Sequence, residues 1–150
     1  MTATAHALVG ASIAATVPDP ALGITLAAAS HPILDLIPHW DFGRDWRKKS
    51  KIKLFVQAAF DLSLGFVLAY LLFGDGVDFW YLFACIFASE VWDIIEAPYW
   101  FFNWDFPPFS WLYEVGHTIQ GRAKLPMGIL TQVVTVGVVF VALRIFFRVP

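Results

Sequence analysis

The sequence predicts an all-α protein: a polytopic membrane bundle of about five helices, with an amphipathic segment at the membrane surface. Two observations support this prediction. Of the 150 residues, 59% are hydrophobic and 17% aromatic, and only 15% are charged, with a mean hydropathy of +0.66. These values lie outside the ordinary range of soluble domains. The apolar residues form runs separated by Pro, Gly and charged segments, as expected for successive helices of one domain, residues 1–150.

Charge and cysteine content narrow the possible functions. The net charge is −2, without an excess of basic residues, which gives no support for nucleic-acid binding. The single cysteine, Cys85, lies in an apolar run. It cannot form an intrachain disulfide, and we expect a buried thiol.

The first two predicted helices are short. Residues 2–17 form the first; no Lys or Arg precedes it and it contains His6, which favours a retained helix over a signal peptide. Two prolines at residues 18–20 end it. The second helix covers residues 21–37 and ends near Pro38. Because a full span needs roughly 20 residues, we expect a tilted or partly inserted hairpin.

The basic linker 41–53 sets the predicted orientation of the chain. It contains six of the ten Lys and Arg residues: Arg44, Arg47, Lys48, Lys49, Lys51 and Lys53. The positive-inside rule places this loop in the cytoplasm. A third helix, residues 52–73, then crosses to an external acidic turn, residues 74–78, and a fourth, residues 79–102, returns. The expected location is the bacterial inner membrane.

The C-terminal part predicts an interfacial segment and a final helix. Residues 109–120 are expected to form an amphipathic helix at the membrane surface, with Trp104, Trp111 and Tyr113 as belt residues. The last helix, residues 126–147, contains no acidic residue and no histidine. We therefore expect it to be a packing element.

Three ionisable residues in and just after the second helix point to a metal site. His31, Asp35 and His39 follow one another at steps of four, so they share one helical face. Imidazole and carboxylate groups at this spacing can hold one metal ion or bridge two. Ionisable groups inside membrane segments are costly and usually functional.

Helix geometry places the other ionisable groups at a similar depth. With a rise of about 1.5 Å per residue, Asp61 lies roughly 15 Å from the basic start of the third helix, and Asp93 roughly 15 Å from the inner end of the fourth. The remaining groups fall in the same cytoplasmic half: His6, His31 and Asp35. Glu90, Asp93 and Glu96 form one carboxylate stripe along the fourth helix.

These placements assign candidate roles. The predicted metal ligands are His6, His31, Asp35, Asp61 and Asp93. Glu90 is the candidate general base, because a carboxylate that is not a ligand is needed to accept the proton; sharing a proton with Asp93 is the alternative. Additional candidates, as ligands or in contact with ligands, are His39, Glu96 and His117. Substrate contact by His39, an exposed Glu96 and a solvated His117 are alternatives.

The motifs resemble a known family. His6, His31-Pro32-Ile33-Leu34-Asp35 and Pro38-His39-Trp40-Asp41 resemble the pattern of small inner-membrane proteins identified as metal-dependent hydrolases, which are distantly similar to zinc-dependent phospholipase C. The resemblance covers roughly residues 1–45. It implies that His31 and Asp35 are zinc ligands and that His6 is a further ligand. The chain has no second HxxxE pair and no evident counterpart of the family's N-terminal amine ligand after Met1, so one or two metal ions are implied.

The predicted function is hydrolysis of a phosphoester by one or two zinc ions, with iron or manganese as alternatives. A site partly buried in the membrane favours a lipid-like substrate that enters laterally from the bilayer. The basic loop could bind anionic headgroups. Other readings stay open. One is carboxylate-bridged iron chemistry, which uses a pair of Glu-x-x-His motifs that the chain lacks. The others are a transporter or proton-conducting subunit and a metal-stapled assembly protein, which forms a homo-oligomer.

Overall fold

The fold of the chain is all-helical. The computed structural model describes residues 1–147, and these contain seven α-helices and no β-strand. A short 3₁₀ turn, Trp46–Lys48, lies in the basic linker. The helices are α1 (Ala3–Ala14), α2 (Pro20–Asp35), α3 (Lys51–Phe73), α4 (Phe79–Ser89), α5 (Val91–Phe102), α6 (Phe109–Ile119) and α7 (Met127–Phe146). The predicted fold class is thus confirmed at the level of an all-α protein.

Helix α1 forms the centre of the bundle. It packs against α2, α3, α4 and α7, and nearly all of its residues are buried. Small residues allow this close packing. A Cβ atom at Gly10 would lie 2.7 Å from the carbonyl oxygen of Cys85, and one at Gly65 would lie 2.8 Å from the Cα atom of Thr4. The thiol of Cys85 is buried, as expected.

Capping side chains fix where the first four helices begin. In each case a side-chain oxygen accepts a hydrogen bond from a backbone amide in the first turn, which otherwise has no intrahelical partner. The capping residues are Thr2 for α1, Asp19 for α2, Ser50 for α3 and Asp78 for α4. The ends of the predicted hairpin, α1 and α2, shift by only one to three residues from the expected positions.

The prediction of one continuous fourth helix, residues 79–102, is wrong. It divides into α4 and α5 at Glu90. At this junction the carbonyl oxygen of Ser89 accepts a hydrogen bond of 2.6 Å from Nδ1 of His31. The hydroxyl of Ser89 also donates to the carbonyl of Ile86. The contact with His31 comes from outside the helix and accompanies the break, and no local sequence pattern signals it.

Two helices of the described chain are long and apolar enough to cross a membrane: α3, with 23 residues, and α7, with 20. Both expose many large apolar side chains, such as Phe60 on α3 and Val138 on α7. The other apolar helices, α1 and α4, have 12 and 11 residues. A bundle with five membrane-spanning helices is therefore not confirmed.

Helix α6 occupies the segment expected to be amphipathic. Trp111 and Trp104 are exposed, as belt residues would be, whereas Tyr113 is buried. The ring of Tyr113 stacks on Tyr99 of α5 with a centroid distance of 4.2 Å, and it also contacts Trp46. The expectation that Tyr113 is a belt residue is wrong, because this ring instead joins α5, α6 and the basic linker.

Candidate metal centre

Helices α1 and α2 bring three of the predicted ligands together. His6, in the second turn of α1, meets His31 and Asp35, one turn apart near the end of α2. One candidate ligand atom from each residue lies within 4.8 Å of the others. Nε2 of His6 lies 3.3 Å from Oδ1 of Asp35, and Nε2 of His31 lies 3.4 Å from Oδ2. The four-residue spacing thus places both side chains of α2 on the face that meets α1.

A hydrogen bond from the second ring nitrogen of His31 fixes the orientation of its imidazole. Its Nδ1 donates to the carbonyl oxygen of Ser89, so its Nε2 lone pair faces the carboxylates of Asp35 and Asp93. Histidines that bind metals usually make such a hydrogen bond with their second nitrogen. The ring also stacks on His6, with centroids 3.8 Å apart. The two imidazoles consequently present nitrogen atoms on the same side.

His6 is fully buried, and its Nε2 faces the centre of the cluster. The amino group of Met1 lies 3.0 Å from this nitrogen and also contacts the carboxylate of Asp35. The sequence offered no evident counterpart of the family's N-terminal amine ligand after Met1, whereas in the structure the Met1 amino group itself lies beside the cluster. The Nδ1 atom of His6 is buried without a hydrogen-bond partner in the described chain.

Asp93, in the first turn of α5, lies at the border of the cluster. Its Oδ1 lies 3.6 Å from Nε2 of His31, and its side chain is 51% exposed. By contrast, the side chain of Asp35 is only 15% exposed. The cluster is thus closed towards α1 and α2 and open on the side of Asp93.

The carboxylate of Asp61 is hydrogen-bonded to the start of α1. Its carboxylate accepts hydrogen bonds from the backbone amides of Ala3 and Thr4, at 2.8 and 3.1 Å, and from the Thr4 hydroxyl at 2.7 Å. Both of its oxygen atoms therefore hold the N-terminus of α1, the helix that carries His6. The metal-binding role of Asp61 stays a prediction.

Two further carboxylates flank the cluster. Glu90, at the junction of α4 and α5, is 3% exposed, and its Oε1 atom is buried without a hydrogen-bond partner among residues 1–147. Glu96 was expected to be exposed, but it is 8% exposed and accepts a hydrogen bond of 3.3 Å from Nε1 of Trp100. The expectation is wrong because α6 covers this face of α5, with Gly116 beside the carboxylate.

His39 lies beyond Asp35, the last residue of α2, so the expectation that it shares a helical face with His31 and Asp35 is wrong. It lies instead at the edge of the cluster. Its Nε2 is 3.8 Å from Oδ1 of Asp35 and 3.1 Å from the side-chain amide nitrogen of Gln120, which also donates to Asp41 at 2.8 Å. Burial acts to raise the pKa of Asp41, but the interaction with His39 and the positive charge of the amino terminus outweigh it and lower that pKa. Asp41 therefore stays ionised and orients its neighbours.

His117 does not join the cluster. It is exposed on α6, and its Nδ1 lies 2.7 Å from the guanidinium of Arg122. Partial burial and the positive charge of Arg122 lower the pKa of His117, which favours the neutral imidazole. It lines the cavity described below.

The sequence interpretation missed Gln132 on α7, the helix expected to act only in packing. Gln132 is buried, and its Oε1 accepts hydrogen bonds from the amide and the hydroxyl of Thr2, both at 2.8 Å. Its Nε2 donates to the carbonyl oxygen of Trp40 at 2.8 Å. One side chain thus ties the start of α1 to the segment that follows His39. A glutamine inside an apolar run was the available signal.

A cavity of about 720 Å³ leads from the surface to these residues. Acidic side chains line it, among them the buried Glu90 together with Asp35 and Asp93, and so do exposed basic side chains from the linker, such as Arg44 and Arg47. Apolar residues of α3 and α5 form the sides. The cavity can admit a ligand considerably larger than water.

The residues present fit a zinc ion. Two imidazole nitrogens and one carboxylate oxygen are a common protein ligand set for zinc, with an open fourth position in catalytic sites. Here His31 is oriented by the Ser89 carbonyl, and the open side faces the cavity. Comparison of the chain with protein-family models, curated proteins and solved structures finds no match.

Proposed function

We propose that this protein is a membrane-embedded, metal-dependent hydrolase that cleaves a phosphoester. The observation that supports it best is the buried group of His6, His31 and Asp35, which opens through Asp93 into a cavity of about 720 Å³. A metal ion that only held helices together would not need a site that opens into a cavity. The resemblance to metal-dependent hydrolases in the first 45 residues agrees with this proposal.

The proposal includes a placement in the membrane. Helices α3 and α7 cross the bilayer, and α1, α2 and α4 complete a five-helix polytopic bundle around the metal centre. The basic linker 41–53 lies on the cytoplasmic side of a bacterial inner membrane, following the positive-inside rule. The exposed apolar faces of α3 and α7 support this arrangement, since lipid would cover them.

The residues that would hold the metal are His6, His31 and Asp35, with Asp93 as a further ligand of this ion or of a second one. When bound there, a zinc ion would supply Lewis acidity and lower the pKa of a water molecule towards about 7. Arg44 and Arg47, which line the cavity, attract the anionic phosphoryl group.

Glu90 acts as the general base. It takes a proton from the attacking water, whose oxygen forms a bond to phosphorus while the bond from phosphorus to the ester oxygen breaks. The proton then passes from Glu90 to the departing alkoxide, so a phosphodiester and water yield a phosphomonoester and an alcohol. The buried Oε1 of Glu90, which lacks a protein partner in the described chain, supports this role.

The test is metal content, measured by mass spectrometry on detergent-purified protein. Wild type is expected to contain one or two zinc ions per chain, and both His31→Ala and Asp35→Ala should lose them. His117→Ala is the matched control, because it removes an imidazole outside the cluster and should keep the metal. Wild type should also hydrolyse a soluble aryl phosphodiester. A metal-free wild type, or zinc without hydrolysis, would refute the proposal, and bound iron would favour redox chemistry.

A proton- or cation-conducting subunit is the second candidate. It is favoured by the carboxylates of Glu90, Asp93 and Glu96, which all line the cavity. Conduction without bound metal in reconstituted vesicles, lost in Glu90→Gln, would support this candidate over hydrolysis.

A further inference from the structure

The space between α3 and α5 separates two helices that are neighbours in the fold but hardly touch. Helix α3 packs mainly on α1, and α5 packs mainly on α6. Both helices lie wholly within the described chain, and they contribute facing walls to the cavity. The lining residues on α3 are Leu54, Gln57, Ala58, Asp61 and Leu62, and those on α5 include Ile94, Ala97 and Phe101.

The lining residues of α3 recur at steps of three and four, so they form one face of the helix. From Leu54 to Leu62 this face is about 12 Å long. Leu62 and Ile94 are 43% and 41% exposed although both line the cavity. The walls therefore form an apolar trough that is open along its side, in a part of the molecule where α3 is proposed to face lipid.

Contacts between α3 and α5 narrow the trough next to the basic linker. There Phe55 contacts Phe101 edge-on at 6.5 Å, and the Lys51 ammonium donates to the carbonyl oxygen of Trp100. Asp93, which lies 3.6 Å from His31, lines the same cavity. A molecule that enters between α3 and α5 thus reaches apolar side chains and the candidate metal cluster in one continuous cavity.

Basic side chains line the same cavity. Arg44, Arg47 and Lys48 line it, and the Arg47 guanidinium lies over the Trp46 ring at 4.7 Å. Lys48 is already paired with Asp45 at 2.9 Å, which leaves the two arginines as the stronger attraction for an anion. Apolar walls combined with basic side chains suit an amphiphile with a negatively charged headgroup.

We propose that the trough between α3 and α5 is a lateral entry site for an anionic phospholipid, whose acyl chain lies against Ala58, Leu62 and Ile94 while its phosphate faces Arg44 and Arg47. This inference rests on the proposed function, because it names the substrate class of the same site. Since the acyl chain reaches the site sideways through the bilayer, the substrate does not have to leave the membrane.

The experiment is photo-crosslinking of detergent-purified protein with phosphatidylglycerol that carries a diazirine in its acyl chain, followed by peptide mass spectrometry. Ala58→Trp fills the trough, and its side chain is exposed in the wild type, so the larger group need not enter the core. Val56→Trp is the matched control, because Val56 is exposed on α3 and does not line the cavity. Labelling of α7 serves as the internal reference for lipid that merely surrounds the protein.

We expect labelling of α5 in the wild type and Val56→Trp, and a decrease of about tenfold in Ala58→Trp, equivalent to about 1.4 kcal/mol in binding. The zwitterionic phosphatidylcholine analogue should label α5 less than phosphatidylglycerol does. Equal labelling of α5 in all three proteins would overturn the inference. Crosslinking requires neither metal nor turnover, so its result is independent of the metal and hydrolysis assays that test the proposed function.

Discussion

Asp61 provides a sharp test of how this fold positions the proposed metal centre. Its carboxylate receives three hydrogen bonds from the first turn of α1, two from backbone amides and one from the Thr4 hydroxyl. Asp61 is buried, and α1 carries His6. We therefore expect Asp61 to act on the site through the position of α1 and not as a metal ligand.

The size of the effect follows from these contacts. A hydrogen bond to a charged acceptor contributes about 1.5–3 kcal/mol, and loss of a helix-capping side chain costs about 0.5–2 kcal/mol. Because the contributions are not additive and the Thr4 hydroxyl can find another acceptor, we expect Asp61→Ala to lower the free energy of unfolding by about 3 kcal/mol. For a chain of this size that is a decrease of roughly 6–12 °C in Tm.

Thermal unfolding in detergent and metal content should be measured on the same preparations. Asp61→Asn keeps one acceptor oxygen, so we expect it to lose about half as much stability as Asp61→Ala and to retain the metal. Asp75→Asn makes the same charge change in the exposed turn before α4 and should change stability by no more than about 0.5 kcal/mol. If folded Asp61→Asn lost its metal as completely as Asp35→Ala, the reasoning would be refuted and Asp61 would be a ligand.

Three further changes probe the rest of the site. Glu90→Gln should keep its metal while kcat for the soluble phosphodiester falls about 100-fold or more; unchanged turnover would rule out Glu90 as the base. Gln132→Leu breaks the link between Thr2 and Trp40, so zinc affinity measured by competition with a chelator should fall about tenfold, and an unaltered affinity would contradict this positioning role. Because the pKa of Asp41 is lowered in the folded state, its stabilising effect is present above about pH 3.9 and is lost as the pH falls further. Asp41→Asn should therefore show a smaller decrease in Tm between pH 5 and pH 3 than the wild type does, and an equal decrease would refute this assignment.

The parts of the site that depend on local geometry were predictable from the sequence. His31 and Asp35 lie one turn apart on one helix, so their spacing alone places them on a common face. The approach of His6 was also anticipated, from its depth near the start of α1. A single intramembrane histidine or carboxylate is informative because its burial must be compensated by some partner.

The parts that depend on contacts between distant segments were not predictable. The break at Glu90 coincides with a hydrogen bond between His31 and Ser89, 58 residues apart. Gln132 and Thr2 are separated by 130 residues. Likewise, Glu96 appeared exposed because the packing of α6 over α5 cannot be read from either helix alone. Periodicity determines which face a residue occupies, but it does not reveal which other element covers that face.

Compensation of buried charge supports the proposal of a cation at this point of the fold. Asp61 is neutralised in part by the amides at the start of α1, where the helix dipole is positive. Glu96 accepts a hydrogen bond from the indole N–H of Trp100. Asp35 faces two imidazoles and the amino group of Met1. Glu90 has no comparable partner for Oε1 in the described chain, and Asp93 has only His31. A divalent ion held by His6, His31 and Asp35 would supply the missing positive charge beside both, so the same ion that activates water would also stabilise the acidic side chains of the cavity.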